Sequence, residues 1–261
     1  MRLQPVIKPF AWPALKSCGY VSDVPCSLNR EFNLDAHTQR RNNRSLDGLN
    51  FFLADVRDGL GPYLAIYLLA VHHWDPASIG IVMTVAALAG LLTQGPAGAL
   101  IDRTHYKRAV IALAALLVTA SCLLLPFTSS LSLIAITQAA SGVAASVFAP
   151  AIAAISLGIT GPKAFTRRTG RNETFNHAGN ACAAMLAGGF AYLFGPIAVF
   201  YLMAVMALAS VVAVSCVSAA AIDHDVARGL DAGLAHHVDS PSGLKVLMGN
   251  KTLLLFAACC A

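Results

Sequence analysis

Residues 95–108 read Gly-Pro-Ala-Gly-Ala-Leu-Ile-Asp-Arg-Thr-His-Tyr-Lys-Arg and join two long apolar runs with almost no loop between them. Two apolar helices connected this tightly must form an antiparallel hairpin. Cytoplasmic loops of membrane proteins carry an excess of Lys and Arg, so Lys107 and Arg108 place this turn in the cytoplasm. Asp102 is a carboxylate among cations at the mouth of the helix pair, which makes it a candidate functional residue.

The composition of the whole chain indicates a polytopic membrane protein. Hydrophobic residues make up 57% of the 261 residues and charged residues only 12%, whereas charged residues form about a quarter of a soluble domain. The mean hydropathy is +0.65. A chain of this composition is expected to lie in a lipid bilayer and to have no nucleic-acid partner.

Six apolar runs predict an all-α membrane protein with six transmembrane helices. The runs cover about residues 49–71, 78–101, 109–127, 131–159, 173–193 and 197–221. Of the 18 Lys and Arg residues, all but Arg57 fall in the N-terminal tail, in the loops after the second and fourth spans, or after the sixth span. Both ends of this six-helix unit, about residues 46–222, are therefore predicted to be cytoplasmic.

The remaining segments are polar or short. Residues 1–45 lack the basic start, apolar run and cleavage site of a signal peptide, and we expect a cytoplasmic, disordered tail there. Residues 223–250 are predicted to form a cytoplasmic linker, and 251–261 the beginning of a seventh helix. The seven cysteines include no Cys-x-x-Cys pair, so neither a metal site nor a disulfide framework is expected, and no cofactor is predicted.

The first span contains three ionisable residues, Asp55, Arg57 and Asp58. Such residues are costly inside a bilayer, so each is a candidate for function. Asp58 is predicted to lie about 13 Å into a hydrocarbon core about 30 Å thick. Arg57 can neutralise one carboxylate and leave the other to bind substrate or a proton, and the Gly-Leu-Gly-Pro run at 59–62 can loosen the helix at this depth. The alternative is a self-contained ion cluster that fixes helix packing.

A second polar surface is predicted on the fifth span, where four residues recur at helical spacing on one face: Glu173, Asn176, His177 and Asn180. Glu173 has the alternative role of capping the helix N-terminus, and His177 that of a hydrated interface residue. Gln94 in the second span and Gln138 in the fourth are single amides in apolar runs. Each is a candidate substrate ligand or an inter-helix hydrogen-bonding group.

The stretch around Asp102 resembles a signature of the major facilitator superfamily, Gly-x-x-x-Asp-Arg-x-Gly-Arg-Lys-Arg, found between helices two and three of that family. The positions that match are Gly98, Asp102, Arg103, Lys107 and Arg108. His105 replaces the second glycine, and Tyr106 replaces a basic residue. The polarity of the spans is also similar to that family, in which helices one and four line a central cavity, two and five flank it, and three and six face lipid.

The resemblance implies the N-terminal half of a secondary transporter, built from two inverted three-helix repeats. It implies alternating access, a small-molecule substrate, a proton or other coupling ion, and a C-terminal half as partner, and it favours an exporter of a bacterial inner membrane. The loop around Asp102 would act as a cytoplasmic gate, with Glu173 as a candidate gating partner. Family members often have an arginine associated with proton coupling at the position of Gln138. That role is not carried over here, and Arg57 is a hypothetical substitute.

The sequence also bears on two other classes of membrane protein. An intramembrane serine protease is rejected, because Ser141-Gly142 is the only trace of a Gly-x-Ser-Gly motif, position 139 is alanine, and the sixth span contains no histidine to act as a base. A non-transporting membrane scaffold or sensor stays open as the alternative, with structural charges in the first span.

Overall fold

The structure is a computed structural model that describes residues 36–58 and 60–229. These residues are helical, with no strand among them, which confirms the predicted all-α class. The helices in chain order are α1 (Ala36–Asp58), α2 (Gly61–Ala70), α3 (Pro76–Arg103), α4 (Lys107–Leu123), α5 (Leu131–Ala145), α6 (Phe148–Phe194) and α7 (Ala198–Ser215). Three single 3-10 turns follow α4 or α7: Leu125–Phe127, Ala219–Ala221 and Val226–Arg228.

Four helical segments of the described chain are long and apolar enough to cross a membrane. They are Pro76–Arg103, Lys107–Phe127, Leu131–Phe194 and Ala198–Ser215. The second, third and sixth predicted spans correspond to the first, second and fourth of these segments. The third segment contains the fourth and fifth predicted spans together.

The first predicted span is broken into two helices. The chain leaves the helix after Asp58, Leu60 adopts φ 68° and ψ −9°, and α2 starts at Gly61 with a proline in its first turn. A left-handed conformation is uncommon for leucine, and Leu60 holds it while only 5% exposed. The predicted loosening of the helix next to Asp58 is therefore confirmed.

The prediction of a disordered tail is wrong for residues 36–45, because α1 begins at Ala36. This part of α1 is packed against the end of α7, and Asn42 is fully buried. The side-chain oxygen of Asn42 accepts a hydrogen bond from the backbone N–H of Ser218 at 3.0 Å. Residues 1–35 lie outside the described residues.

The loop predicted between the fourth and fifth spans is helical as well. Between Phe148 and Phe194 only Gly161 leaves the helical conformation, with φ 70° and ψ 169°. Glycine tolerates this backbone, and Pro162 suits the first turn of the helix that follows. The basic residues of the predicted loop thus lie on a helix, and two of them, Arg168 and Arg171, pair with Asp47.

Helix pairs organise the bundle: α3 packs on α5, α1 packs on α6 and α7, and α4 packs on α5 and α7. Apolar side chains from these helices form one buried cluster, which includes Leu49, Leu53, Ile111, Val118, Ile155, Phe200 and Met203. Two pairs approach closely at a glycine. A Cβ atom added at Gly142 would collide with the carbonyl of Ala86, and one added at Gly179 would collide with the carbonyl of Phe51.

The close approach of α1 and α6 predicts that Gly179→Ala destabilises the protein. Alanine should favour the helix by about 0.5–1 kcal/mol. The added methyl group, however, meets the backbone of Phe51 and the Cβ of Ala54, and overpacking costs about 1–3 kcal/mol. We therefore expect a lower thermal unfolding midpoint for the purified protein in detergent.

Gly188→Ala provides the matched control, because nothing lies within 4 Å of a Cβ atom at Gly188 on the same helix. Its midpoint should stay unchanged or rise. Equal midpoints for the two variants would contradict the close packing of α1 on α6.

Candidate functional site

The structure brings together two predicted site residues from different predicted spans. Nδ2 of Asn180 on α6 donates a hydrogen bond to Oδ2 of Asp58 at the end of α1, at 3.2 Å. Asp58 is exposed in the described chain, whereas Asp55 and Asn180 are half-buried. The contact lies at the break between α1 and α2, where Leu60 has its left-handed backbone.

Arg57 does not pair with either neighbouring carboxylate, contrary to prediction. Within residues 36–58 and 60–229 the ion pairs both involve Asp47. Successive residues of a helix are about 100° apart around its axis. Arg57 therefore points away from both Asp55 and Asp58, which are three residues apart and share a side of α1.

The other residues of the polar surface predicted on the fifth span, Glu173, Asn176 and His177, lie with Asn180 on one helix, α6, as expected from their spacing. Oε2 of Glu173 accepts a hydrogen bond from Nδ2 of Asn176 at 3.2 Å. Glu173 and His177 are exposed, and Asn176 is half-buried. Since Glu173 lies in the interior of the helix, it does not cap the helix N-terminus.

The predicted amide ligands Gln94 and Gln138 differ in their surroundings. Gln94 on α3 is exposed. Gln138 on α5 is 3% exposed, and its Nε2 has no hydrogen-bond partner among the described residues. Neither amide forms a hydrogen bond with Asp55 or Asp58 in this part of the chain. A buried donor without a partner is costly, so this amide is an exception within the bundle.

The signature stretch forms the tight turn that its sequence predicts, with Thr104, His105 and Tyr106 between α3 and α4. Asp102 and Arg103 are exposed and Gly98 is half-buried. Lys107 is unexpectedly buried, at 1% exposed. Its Nζ donates to the carbonyl of Thr104 at 2.8 Å, at the C-terminal end of α3, where the helix dipole favours a cation.

Arg108 has a role that the sequence did not indicate. Its Nε and Nη2 donate to the carbonyls of Val214 and Ser215 at 3.1 and 2.6 Å. Both carbonyls lie at the C-terminal end of α7, where cationic side chains commonly donate to the last carbonyls of a helix. Arg108 therefore connects the hairpin of α3 and α4 to the C-terminal end of α7.

A buried ionic junction centred on Asp47 was missed by sequence reasoning. Asp47 on α1 is 5% exposed. One carboxylate oxygen lies 2.8 Å from Nη2 of Arg168 on α6. Arg171, one turn further along α6, donates to the same carboxylate from Nε and Nη2, at 2.9 and 2.6 Å. The planar fork of arginine suits this two-point contact.

Polar side chains extend the junction into the bundle. Oδ1 of Asn172 accepts hydrogen bonds from Nε of Arg168 at 2.8 Å and from Nδ2 of Asn50 at 3.1 Å. Nδ2 of Asn172 donates to Oγ of Ser156 at 2.8 Å. The spacing of these residues was the available signal in the sequence. On α1, residues 47 and 50 share a helix face. Residues 168, 171 and 172 share one on α6, but only if the segment around 168 is recognised as helical.

Comparison with known proteins identifies the family. A model described as the Major Facilitator Superfamily matches residues 47–261. The chain belongs to this superfamily. Two curated relatives are uncharacterized MFS-type transporters of Mycobacterium tuberculosis, from strains CDC 1551 / Oshkosh and ATCC 25618 / H37Rv. Each is 54% identical to the chain over 215 residues, which is 82% of this chain and 51% of the relative.

Membership of the Major Facilitator Superfamily confirms an integral, multi-pass membrane protein of a transporter class and excludes the intramembrane protease. The chain spans about half the length of the curated relatives that it matches. Residues 230–261, which contain most of the predicted linker and the predicted seventh helix, lie within the matched range but outside the described residues.

The Asp47 junction predicts unequal effects of removing its partners. Asp47→Asn leaves Arg168, whose side chain is 4% exposed, without a counter-charge. Breaking one side of a buried ion pair costs about 3–5 kcal/mol. Arg171→Gln removes a side chain that is 56% exposed, which should cost no more than about 1 kcal/mol. Thermal unfolding midpoints of the purified variants check this ranking.

The double variant Asp47→Asn/Arg168→Gln supplies the control. Because it removes both buried charges, it should lose less stability than the sum of the two single variants. Additive losses, or an effect of Asp47→Asn no larger than that of Arg171→Gln, would show that the junction does not stabilise the bundle.

Proposed function

We propose that the chain is the N-terminal half of a secondary transporter that moves a small molecule by alternating access, coupled to protons. The single observation that carries the proposal is the contact of Asp58 with Asn180 at the helix break. Interrupted helices at mid-depth are a recurring feature of transporter binding sites. An exporter is favoured over an importer, as the sequence resemblance implies.

Six spanning helices, arranged as two inverted three-helix repeats, fit the helical segments. The segment Leu131–Phe194 has 64 residues, or about 96 Å of helix, whereas one crossing needs about 30 Å. Two crossings that meet near Gly161 use this length, and α1 with α2 provides the remaining span. The bias of Lys and Arg supports cytoplasmic ends, and the mycobacterial relatives favour a bacterial inner membrane.

Asp58 is the carboxylate best suited to exchange a proton. It is exposed, and its hydrogen-bond partner in the described chain is a neutral amide, not a cation. An asparagine can donate to a carboxylate through its nitrogen and accept from a protonated carboxyl through its oxygen. Asn180 can therefore hold Asp58 in either protonation state while the two helices stay in contact. Asp55, half-buried one turn away, would be a second proton or substrate ligand. Arg57 would act apart from these two carboxylates, because it lies on a different side of α1.

The remaining predicted ligands lie on three helices. Asn176 and His177 lie one turn from Asn180 on α6, and Gln94 and Gln138 lie on α3 and α5. They provide hydrogen-bond donors and acceptors, which fits recognition of a small polar or amphipathic molecule. Closure over the substrate would require the C-terminal half of the same transporter.

The turn around Asp102 would be the cytoplasmic gate. Asp102 and Arg103 are exposed at the end of α3, whereas Lys107 and Arg108 hold the turn to the helix ends beneath it. Asp102 would therefore be available to contact the C-terminal half of the transporter, while Lys107 and Arg108 keep the shape of the turn. Glu173, also exposed, is a further candidate for that contact.

The coupling role predicts a pH effect that needs no knowledge of the substrate. A cysteine placed at Ala184, one turn from Asn180 on α6, would report access to this face in the complete protein freed of its native cysteines. Its alkylation rate in membrane vesicles, divided at each pH by the rate of the same cysteine in the denatured protein, should depend on pH, because protonation of Asp58 shifts the access equilibrium. The division removes the pH dependence that comes from ionisation of the thiol itself. Asp58→Asn should abolish the dependence. Once a substrate is known, the same variant should exchange it downhill and fail to accumulate it.

Asp225→Asn is the matched control, since it removes an exposed carboxylate outside the seven helices. It should keep the pH dependence of the parent. Asp102→Asn should alter the alkylation rate at every pH and leave its pH dependence intact. A pH dependence that survives in Asp58→Asn would remove Asp58 from the coupling mechanism and favour the scaffold or sensor.

A further inference from the structure

A cavity of about 310 Å³ opens at the end of the bundle that carries the α3–α4 turn. It lies between the beginning of α4, the end of α7 and the segment that follows α7. Its lining residues are His105, Tyr106, Arg108, Ala109, Ala112, Val214, Ser215, Ala219, Ile222 and His224. None of the predicted substrate or proton ligands contributes to it, so it is separate from the site around Asp58.

The cavity combines an apolar wall with basic groups. Ala109, Ala112, Val214, Ala219 and Ile222 supply the apolar part. The rings of His105 and His224 meet edge to face with their centroids 4.8 Å apart. Nη2 of Arg228 lies 3.5 Å from Nε2 of His105 and 3.4 Å from the carbonyl of Arg103. A second guanidinium, that of Arg108, lines the cavity directly.

These cations have no carboxylate partner in the part of the chain that the structure describes. Lys107, Arg108 and Arg228 instead donate to backbone carbonyls or to His105. Oδ1 of Asp223 already accepts from the backbone N–H groups of the two residues Asp225 and Val226.

Burial and the neighbouring cations both act on His224. Burial, followed by the charges of Lys107, His105 and Arg228, lowers the pKa of His224 below its ordinary value, with Asp223 acting in the opposite direction. The same excess of positive charge would favour an anion in the cavity, because an anion relieves the repulsion among these groups.

We propose that this cavity binds the phosphate headgroup of an anionic phospholipid, with the upper part of an acyl chain against the apolar wall. Basic pockets between helix ends on the cytoplasmic side are suited to such headgroups. A free phosphate ion would satisfy the cations but leave the apolar wall wet, so an amphipathic ligand fits better. The proposal rests on the cytoplasmic placement of this end in the proposed function, and not on the coupling role of Asp58.

His105 and Arg228 are the recognition residues that can be changed without disturbing a helix. Both are exposed, and Nη2 of Arg228 lies 3.5 Å from Nε2 of His105, which accepts from it only in the neutral tautomer protonated at Nδ1. A phosphate oxygen can replace His105 as that acceptor. Arg108 is less suitable for a test, because its loss would also uncap α7.

The test compares the association of spin-labelled phosphatidylglycerol and spin-labelled phosphatidylcholine with the full chain in phosphatidylcholine vesicles. The unchanged chain should prefer phosphatidylglycerol. His105→Gln/Arg228→Gln should reduce that preference about fivefold, since one basic residue near an anionic surface contributes about that factor. Arg228→Lys keeps the charge and should retain most of the preference.

Arg167→Gln is the matched control, because it removes an exposed cation of α6 that does not line the cavity. It should keep the preference, as should Asp58→Asn, and unfolding midpoints should show that each variant is folded. An unchanged preference in His105→Gln/Arg228→Gln, or an equal loss in Arg167→Gln, would overturn the proposal. Inorganic phosphate should not displace the lipid at millimolar concentration, and displacement would identify a free-phosphate site instead.

Discussion

The buried carboxylate of Asp47 joins α1 to α6 through ion pairs with two arginines. Asp47 lies between two guanidinium groups of α6, those of Arg168 and Arg171. The amide oxygen of Asn172 accepts a further hydrogen bond from Nε of Arg168. Charges removed from water are tolerated only when they are paired and hydrogen-bonded. Because this pairing fixes α1 against α6, it also sets where the two helices meet further along, at Asp58 and Asn180.

The charges beside the α3–α4 turn are compensated by helix termini. Lys107 lies at the carbonyl end of α3, and Arg108 at that of α7, where the helix dipoles supply partial negative charge. A partial charge does not fully neutralise a cation, so a net positive field remains around His224 and Arg228. The contacts of Lys107 and Arg108 with helix ends thus account for the fixed turn next to the exposed Asp102. The positive charge that they leave uncompensated accounts for the proposed headgroup site.

The sequence predicted the features that follow from composition and local spacing. The tight turn at 104–106, the helix break beside Asp58 and the polar stripe on α6 all appear as predicted. The errors arose where tertiary contacts override local polarity. The segment around Arg168 was predicted to be a loop because it is basic. It is helical, and its arginines pair with Asp47 on α1. Arg57 reads as a partner for Asp58, but helix geometry turns the two side chains apart.

The measurement that tests this account most directly is disulfide formation between α1 and α7 beside Asp47. A Cβ atom at Gly48 would lie 3.8 Å from that of Ala213, within the range of about 3.5–4.5 Å for a disulfide. In a background without native cysteines, Gly48→Cys/Ala213→Cys should cross-link rapidly under mild oxidation, and adding Asp47→Asn should slow the reaction. Failure to cross-link, or a rate unaffected by Asp47→Asn, would contradict the role of the junction.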